Sequence, residues 1–155
     1  MPDTPSRTSI WAAAARAVGS RLEHPHWRNP DLLADKLIGP EERDLIMGHP
    51  LSAALLADTP ESRKNLEVQG STMTMIIRTK FVDEKLEEAV KNGARQFVIL
   101  GAGWDTRAWR MADVLKDVKI FEIDQPSTQN WKRRRADETI GPPAPERHVL
   151  ADRFP

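Results

Sequence analysis

Two glycines and an aspartate in the second half of the chain have the types and spacing of a nucleotide-cofactor site. Gly101 and Gly103 follow a short apolar run, and Asp124 ends a second apolar run further along. Glycines let the backbone turn sharply and approach a ligand without a Cβ in the way. In nucleotide-binding α/β units, an acid at the end of the second strand binds ribose hydroxyls. The joint pattern therefore favours a cofactor site over an ordinary strand-to-helix turn.

Alternatives stay open for some of these residues. Asp124 also suits a helix cap for the segment that begins at Pro126, and Glu122, two residues earlier on the same strand face, is a competing ribose-binding acid. A dinucleotide-dependent dehydrogenase usually has a third glycine where this chain has Thr106, which argues against that class of enzyme. Asp105 is predicted to cap the helix that begins near Thr106.

The elements that must position these residues fall into a helix-rich part and an α/β part. Apolar periodicity and cap residues predict helices over residues 8–22, 40–47, 51–68 and 72–92, and another that Asn29-Pro30-Asp31 opens and Gly39 stops. After Gly93, predicted strands at 95–100, 118–123 and 147–151 alternate with predicted helices at 106–115 and 126–138. This order predicts a parallel sheet, with a helical region over residues 1–93 and an α/β region over residues 94–155.

Side-chain patterns predict which faces these elements bury. The run Phe-Val-Ile-Leu at 97–100 has no polar alternation, which is typical of a strand covered on both faces. The longest helix carries two successive apolar stripes that predict core packing, with a bend between them near Asp83. The first is formed by Met73, Ile76, Ile77 and Phe81, and the second by Val82, Leu86, Ala89 and Val90. The single charge run, Lys-Arg-Arg-Arg at 132–135, predicts a solvated helix face rather than a nucleic-acid patch.

Composition excludes several classes of site. The chain has 155 residues with 23 basic and 23 acidic side chains, so nothing suggests a polyanionic partner. It has no cysteine, which excludes disulfides, thiolate metal sites and cysteine nucleophiles. His24 and His26 have no other clear ligand nearby in sequence, so we expect a solvated loop and no metal. No apolar run approaches membrane-spanning length and no secretory signal is visible, so we expect a cytoplasmic protein that does not contact membranes.

Three motifs carry a resemblance to a known family. Leu-Gly-Ala-Gly-Trp-Asp-Thr-Arg-Ala-Trp-Arg at 100–110 and Phe-Glu-Ile-Asp-Gln-Pro at 121–126 resemble the signature of the leucine carboxyl methyltransferase-like family. Arg-Thr-Lys-Phe-Val-Asp at 78–83 is similar to a further pattern of that family, and the resemblance runs from about residue 6 to residue 153. It implies an α/β fold of the class I methyltransferase type, with a Rossmann-like parallel sheet and an N-terminal helical lid. It also implies S-adenosyl-L-methionine as cofactor and O-methylation of a carboxylate or hydroxyl of a small molecule.

The resemblance also implies roles for single residues. Gly101, Ala102 and Gly103 would pass beneath the methionine part of the cofactor. Arg78 would pair with its carboxylate, for which a planar guanidinium offers a bidentate match; the alternative is a surface helix charge. Asp124 would bind the ribose hydroxyls, with Gln125 beside it in the cofactor site. At the third strand, Asp152 would contact the adenine amino group next to the Arg153 backbone, where the family usually has an apolar residue.

Members of that family are longer than this chain, and their sheet has further strands. The resemblance therefore implies an incomplete sheet here, containing the first three strands in chain order, with an unpaired edge on the first. Such an edge predicts self-association or pairing with a complementing chain. No catalytic residue is identified, because it could lie in the part that this chain lacks. The alternative to an enzyme is a non-catalytic fragment or interaction module that keeps a partial nucleotide-binding fold.

Overall fold

Helices occupy the first part of the chain, and a parallel sheet with its own helices occupies the rest. The computed structural model describes residues 4–49, 52–57, 59–68, 70–143 and 147–150. The first helices are α1 (Arg7–Gly19), α2 (Ala34–Leu37), α3 (Pro40–Ile46), α4 (Ser52–Ala57), α5 (Pro60–Val68) and α6 (Gly70–Lys91), with a 3-10 helix at Pro25–Trp27. They are followed by β1 (Gln96–Leu100), α7 (Arg107–Arg110), β2 (Lys119–Ile123), α8 (Pro126–Thr139) and β3 (Arg147–Leu150).

The three strands lie side by side in the order β1-β2-β3, and both pairs are parallel. In the first pair Gln96 lies opposite Lys119 and Leu100 lies opposite Ile123. Parallel neighbours need a crossover connection, which the segments containing α7 and α8 provide. The predicted α/β class is confirmed, and the turns that follow β1 and β2 meet at one edge of the sheet.

The helices cover one face of this sheet. Phe97 and Ile99 of β1 share a face with Ile120 of β2, and this face packs against α6 and α7. On the opposite face, Val98 is 49% exposed and Leu100 is 65% exposed. The prediction that β1 is covered on both faces is therefore wrong for this face, because the packing helices that the structure describes lie on the other one.

Helix α1 joins the helical part to the sheet. Its small side chains let other elements approach closely, and Ile10, Ala13 and Ala14 are buried in one cluster with Trp104 and with Ala136 of α8. Trp104 belongs to the turn after β1, and it is 1% exposed. The N-terminal helix is therefore held against the turn that the sequence singles out.

The packed side of α6 differs from the predicted stripe. Ile76 is buried, but Ile77 is 53% exposed and Phe81 is 58% exposed. The side that packs instead includes the buried polar residues Thr79 and Asp83. In this first part of the helix, apolar periodicity misassigned the face because these two polar side chains make hydrogen bonds inside the protein. In the second predicted stripe, Leu86 is buried and Val90 packs against the same cluster.

Two further predicted helices are shorter than expected. The helix predicted over residues 106–115 contains α7 alone, and turns follow it up to residue 117. The helix that Asn29-Pro30-Asp31 was predicted to open begins only at Ala34. Before α2, Asn29 Oδ1 accepts a hydrogen bond from Asp31 N and Asp31 Oδ1 accepts one from Ala34 N, and these bonds stabilise the non-helical segment there. Among the described residues, no helix is long and apolar enough to cross a membrane.

Candidate functional site

A cavity of about 270 Å³ lies at the carboxyl end of β1. Its floor is formed by the end of β1 and by the residues that follow, 101–106, which we call the glycine turn. Its walls come from α1 and α6, through Ser9, Ala12, Arg16, Arg78, Thr79 and Val82. The carboxyl edge of a parallel sheet is the usual place for a ligand, because the connecting turns leave a crevice there.

The backbone of the glycine turn explains its two glycines. Gly101 has φ +63° and Gly103 has φ +49°, in the left-handed region that other residues rarely adopt. A Cβ placed on Gly101 would have no atom within 4 Å, whereas a Cβ on Gly103 would lie 3.0 Å from the Cβ of Ser9. Gly103 thus allows α1 to approach the turn, and Gly101 leaves an open cradle that a ligand can fill.

Asp124 holds the glycine turn to the end of β2. Its Oδ2 accepts a hydrogen bond from Gly103 N at 2.5 Å, and its Oδ1 accepts one from Gln125 N at 2.6 Å. Asp124 does not itself line the cavity, but it is bonded to Gly103, which does. Its carboxylate is partly exposed, so it can accept further bonds from a ligand while it fixes the turn.

Glu122, the competing acid, has a different role. Its two carboxylate oxygens accept hydrogen bonds from Lys132 Nζ at 3.0 and 2.9 Å. Both side chains are 0% exposed, so this is a fully buried ion pair between β2 and α8. Glu122 therefore stabilises the α/β packing, and the interpretation of it as a ribose-binding acid is wrong.

The charge run at 132–135 is not a uniformly solvated face. Lys132 is buried, which corrects the prediction made for it. Arg134 pairs with Glu41 at 2.8 Å on the surface, and Arg135 lies 3.4 Å from Glu42. The run therefore joins α8 to α3 and to the sheet, because its helix lies between acidic partners on both sides.

Most arginines that line the cavity already have acidic partners. Arg16 Nε lies 2.8 Å from Asp31 Oδ2. Arg107 Nε and an Arg110 guanidinium nitrogen lie 2.8 and 2.6 Å from the same oxygen of Asp83. These groups are mostly buried, so their charges are neutralised within the protein.

Arg78 differs from these arginines. Its guanidinium contacts Met75 Sδ at 3.1 Å, and no described carboxylate lies within ion-pair distance of it. The residue is exposed and borders the cavity beside the glycine turn. A cation without an acidic partner at the mouth of a cavity can bind an anionic ligand.

Asp105 stays ionised beside this cavity. Burial alone would raise the pKa of Asp105, but the positive charges of Arg107 and Lys132 and a backbone hydrogen bond hold that pKa below its usual value. The bond comes from Arg107 N at 2.8 Å, so Asp105 satisfies a backbone N–H of the first turn of α7, although the N-cap residue itself is Thr106. Because the folded-state pKa is lowered, the stabilisation from Asp105 is present at neutral pH and is lost as the pH falls through that value.

A family model described as leucine carboxyl methyltransferase matches residues 9–152. The chain belongs to the leucine carboxyl methyltransferase family. The resemblance of the glycine turn and the second strand to that family is thereby confirmed. All the residues that line the cavity lie within the matched region.

Relatives of the chain carry names that place them among the S-adenosyl-L-methionine-dependent methyltransferases. A protein of Frankia alni is 36% identical over 125 residues, which cover 81% of this chain and 40% of the relative. A protein of Mycolicibacterium paratuberculosis is 35% identical over 149 residues, which cover 93% of this chain and 46% of the relative. A protein of Streptomyces coelicolor is 36% identical over 125 residues, again 81% and 40%. The chain thus spans less than half the length of these relatives.

The structure brings together part of the site that the family resemblance implies. The cavity is lined by Arg78, Gly101, Ala102 and Gly103. Asp124 adjoins it through its bond to Gly103, and Gln125 is exposed next to Asp124. Asp152 and Arg153 lie outside the described residues, so their contact with the adenine stays a prediction.

Sequence reasoning missed three cavity residues that make buried hydrogen bonds. Arg16, Asp31 and Thr106 all line the cavity, and their side chains bond to one another through Asp31. The sequence offered one signal for this group, which is the position of Arg16 within the alanine-rich α1. An arginine that packs inward needs a nearby acidic side chain. Nothing in the sequence around Asp31 identifies its partners, which lie 15 and 75 residues away.

Proposed function

We propose that the chain is the cofactor-binding part of an S-adenosyl-L-methionine-dependent methyltransferase, and that it binds this cofactor in the cavity at the carboxyl end of β1. The observation that carries the proposal is Arg78, which has no acidic partner among the described residues and lines the same cavity as the open cradle at Gly101. Family membership and the names of the relatives support it. A cofactor with a carboxylate at its amino-acid end suits a cavity lined by an arginine that has no acidic partner among the described residues.

The chain's own groups suit each part of such a cofactor. The backbone at Gly101 and Ala102 can pass close to the methionine part, because no side chain projects from Gly101. The guanidinium of Arg78 would pair with the carboxylate, and Asp124 would accept bonds from the ribose hydroxyls. Asp152, with the Arg153 backbone, would complete the site at the adenine.

The proposed reaction is O-methylation of a carboxylate or hydroxyl of a small molecule. Bound S-adenosyl-L-methionine supplies an electrophilic methyl group. In this proposal α1 and α6 act as a helical lid that excludes water and orients the two reactants. Positioning of this kind accounts for most of the catalysis needed when a good electrophile and nucleophile are held in line.

Calorimetric titration of the purified chain tests the proposal. We expect saturable binding of S-adenosyl-L-methionine and of S-adenosyl-L-homocysteine with one site per chain. Gly101→Ala should weaken both, because alanine is strained at φ +63° and its methyl group would enter the cradle. Gly93→Ala is the matched control, since Gly93 also has a positive φ, +97°, and open space around it, and it does not line the cavity. A folded wild-type chain that binds neither compound would contradict the proposal.

We also propose that the uncovered side of β1 associates with a complementing chain or a second copy. Among the described strands, β1 pairs on one edge alone, and Val98 is exposed on the open face. Parallel sheets normally have both faces covered. We expect wild-type oligomers in light scattering, and we expect Val98→Lys to shift them towards monomer. Met47→Lys, at an exposed apolar residue elsewhere, should change little. A monodisperse wild-type monomer would refute association with a second copy and leave a complementing chain as the proposed partner.

The same open face favours a second candidate function, a non-catalytic interaction module. Methyl transfer to a panel of small carboxylic acids and phenols separates the two functions. Turnover by the chain, alone or with a complementing chain, that Asp124→Ala abolishes would exclude the interaction module. Absence of turnover in every combination would favour it.

A further inference from the structure

A buried polar cluster connects three parts of the cavity wall. It is centred on Asn29 and Asp31, which are 2% and 1% exposed, and we call this pair the Asn29–Asp31 hub. The hub lies in the segment before α2, between α1, α6 and the glycine turn. Buried polar groups are costly unless they are hydrogen-bonded, so the partners of these two side chains indicate what the cluster does.

Asp31 holds the second half of the glycine turn. Its Oδ1 accepts a hydrogen bond from Thr106 Oγ1 at 2.6 Å and another from Ala34 N at 3.0 Å. Its Oδ2 accepts one from Arg16 Nε at 2.8 Å, and the same guanidinium donates to Trp104 O at 2.7 Å. Two residues of the turn are thereby fixed to Asp31, one directly and one through Arg16.

Asn29 holds the helix that carries Arg78. Its Nδ2 donates to Thr79 Oγ1 at 3.1 Å, and that hydroxyl donates in turn to Met75 O at 2.8 Å. Its Oδ1 accepts a hydrogen bond from Asp31 N at 2.9 Å. Because Thr79 directly follows Arg78 on α6, a continuous hydrogen-bonded path runs from the base of Arg78 to Thr106.

We propose that Asn29 and Asp31 are positioning residues that set the distance between Arg78 and the glycine turn. Such a hub would decide how well the cavity recognises the carboxylate end of a bound nucleoside amino acid, while leaving recognition of the nucleoside part largely unchanged. A fully bonded buried network is rigid, which suits this role. The inference rests on the proposed cofactor site and adds to it the residues that align the site's two halves.

Paired ligands test the hub. S-adenosyl-L-homocysteine carries the carboxylate, and 5′-methylthioadenosine lacks the carboxylate-bearing end, so the ratio of their dissociation constants isolates what Arg78 recognises. Asp31→Asn replaces one of the two acceptor oxygens by an amide donor, so either Arg16 Nε or Ala34 N loses its acceptor. We expect the affinity for the homocysteine compound to fall about tenfold, as for loss of a well-placed charged hydrogen bond. We expect the affinity for 5′-methylthioadenosine to stay within about twofold.

A second variant and a matched control complete the experiment. Thr106→Val keeps the side-chain shape and removes one bond to Asp31, so it serves if Asp31→Asn fails to fold. Glu42→Gln is the control, because Glu42 is an equally buried carboxylate that accepts bonds from Gly39 N at 2.7 Å and Trp131 Nε1 at 2.6 Å, away from the cavity. We expect the control to lower thermal stability without changing the ratio.

Three outcomes overturn the inference. An unchanged ratio in both hub variants would mean that the hub does not align Arg78. An equal loss for both ligands would mean that the hub only stabilises the fold. A wild-type chain that binds neither ligand would remove the proposed function and the inference with it, and this result differs from the first two because the wild-type titration alone reveals it.

Discussion

Lys132→Met is expected to lower the free energy of unfolding by about 3–5 kcal/mol, as removal of one partner from a buried ion pair does. Lys132 and Glu122 are both 0% exposed, and two hydrogen bonds of 3.0 and 2.9 Å join them. Removal of the lysine leaves a carboxylate buried without its counter-charge. Urea unfolding at neutral pH, followed by circular dichroism, measures the change.

A double variant shows whether the lost stability comes from the uncompensated charge of Glu122 or from lost packing of the lysine side chain. The double variant Glu122→Gln with Lys132→Met removes both charges, so it should recover a large part of the lost stability. Lys119→Met is the matched control, because Lys119 is exposed on the same strand as Glu122 and should change stability by less than about 0.5 kcal/mol. A loss below about 1 kcal/mol for Lys132→Met would contradict the buried pair.

The strands and the glycine turn could be predicted because their causes are local. The predicted strands at 95–100 and 118–123 match β1 and β2 to within one residue, since short segments rich in β-branched and aromatic side chains between turn residues favour a strand. Gly101 and Gly103 adopt the positive φ angles that their position after a strand indicates. Local chemistry was therefore sufficient to place the floor of the cavity.

The buried polar groups could not be predicted, because their burial depends on distant partners. Lys132 lies in a charge run that a sequence pattern assigns to solvent, and only its contact with Glu122 explains why it is inside. Asp31 follows a proline as a helix opener would, yet its hydroxyl partner Thr106 is 75 residues away. Tertiary hydrogen bonds overrode local preference at both positions.

The orientation of α6 shows the same limit for apolar residues. The stripe containing Ile77 and Phe81 predicts core packing, but both side chains are more than half exposed. The helix is rotated so that Asp83 reaches Arg107 and Arg110 of α7. In the same orientation Arg78 borders the cavity. The orientation of α6, which apolar periodicity predicted wrongly, therefore places Arg78 in the candidate site.

Arg78→Met is expected to weaken binding of S-adenosyl-L-homocysteine about 10- to 100-fold, because hydrogen bonds to a charged group contribute roughly 1.5–3 kcal/mol. Arg78 borders the cavity, and among the described residues its guanidinium has no acidic partner, so it can form a two-point contact with a ligand carboxylate. Methionine keeps the unbranched stem and removes the guanidinium. Affinity for 5′-methylthioadenosine should change less than about twofold, since that compound has no carboxylate. Calorimetry with both compounds measures the two effects.

Arg95→Met is the matched control for Arg78→Met. Arg95 is also exposed, and its guanidinium donates to Ala94 O at 3.2 Å at the amino end of β1, the opposite end from the cavity. Arg95→Met also removes one positive charge from the chain. It therefore shows how much of any loss of affinity comes from net charge rather than from the cavity. Equal losses in the two variants, or an Arg78→Met protein that binds the homocysteine compound as tightly as wild type, would show that Arg78 does not hold the carboxylate.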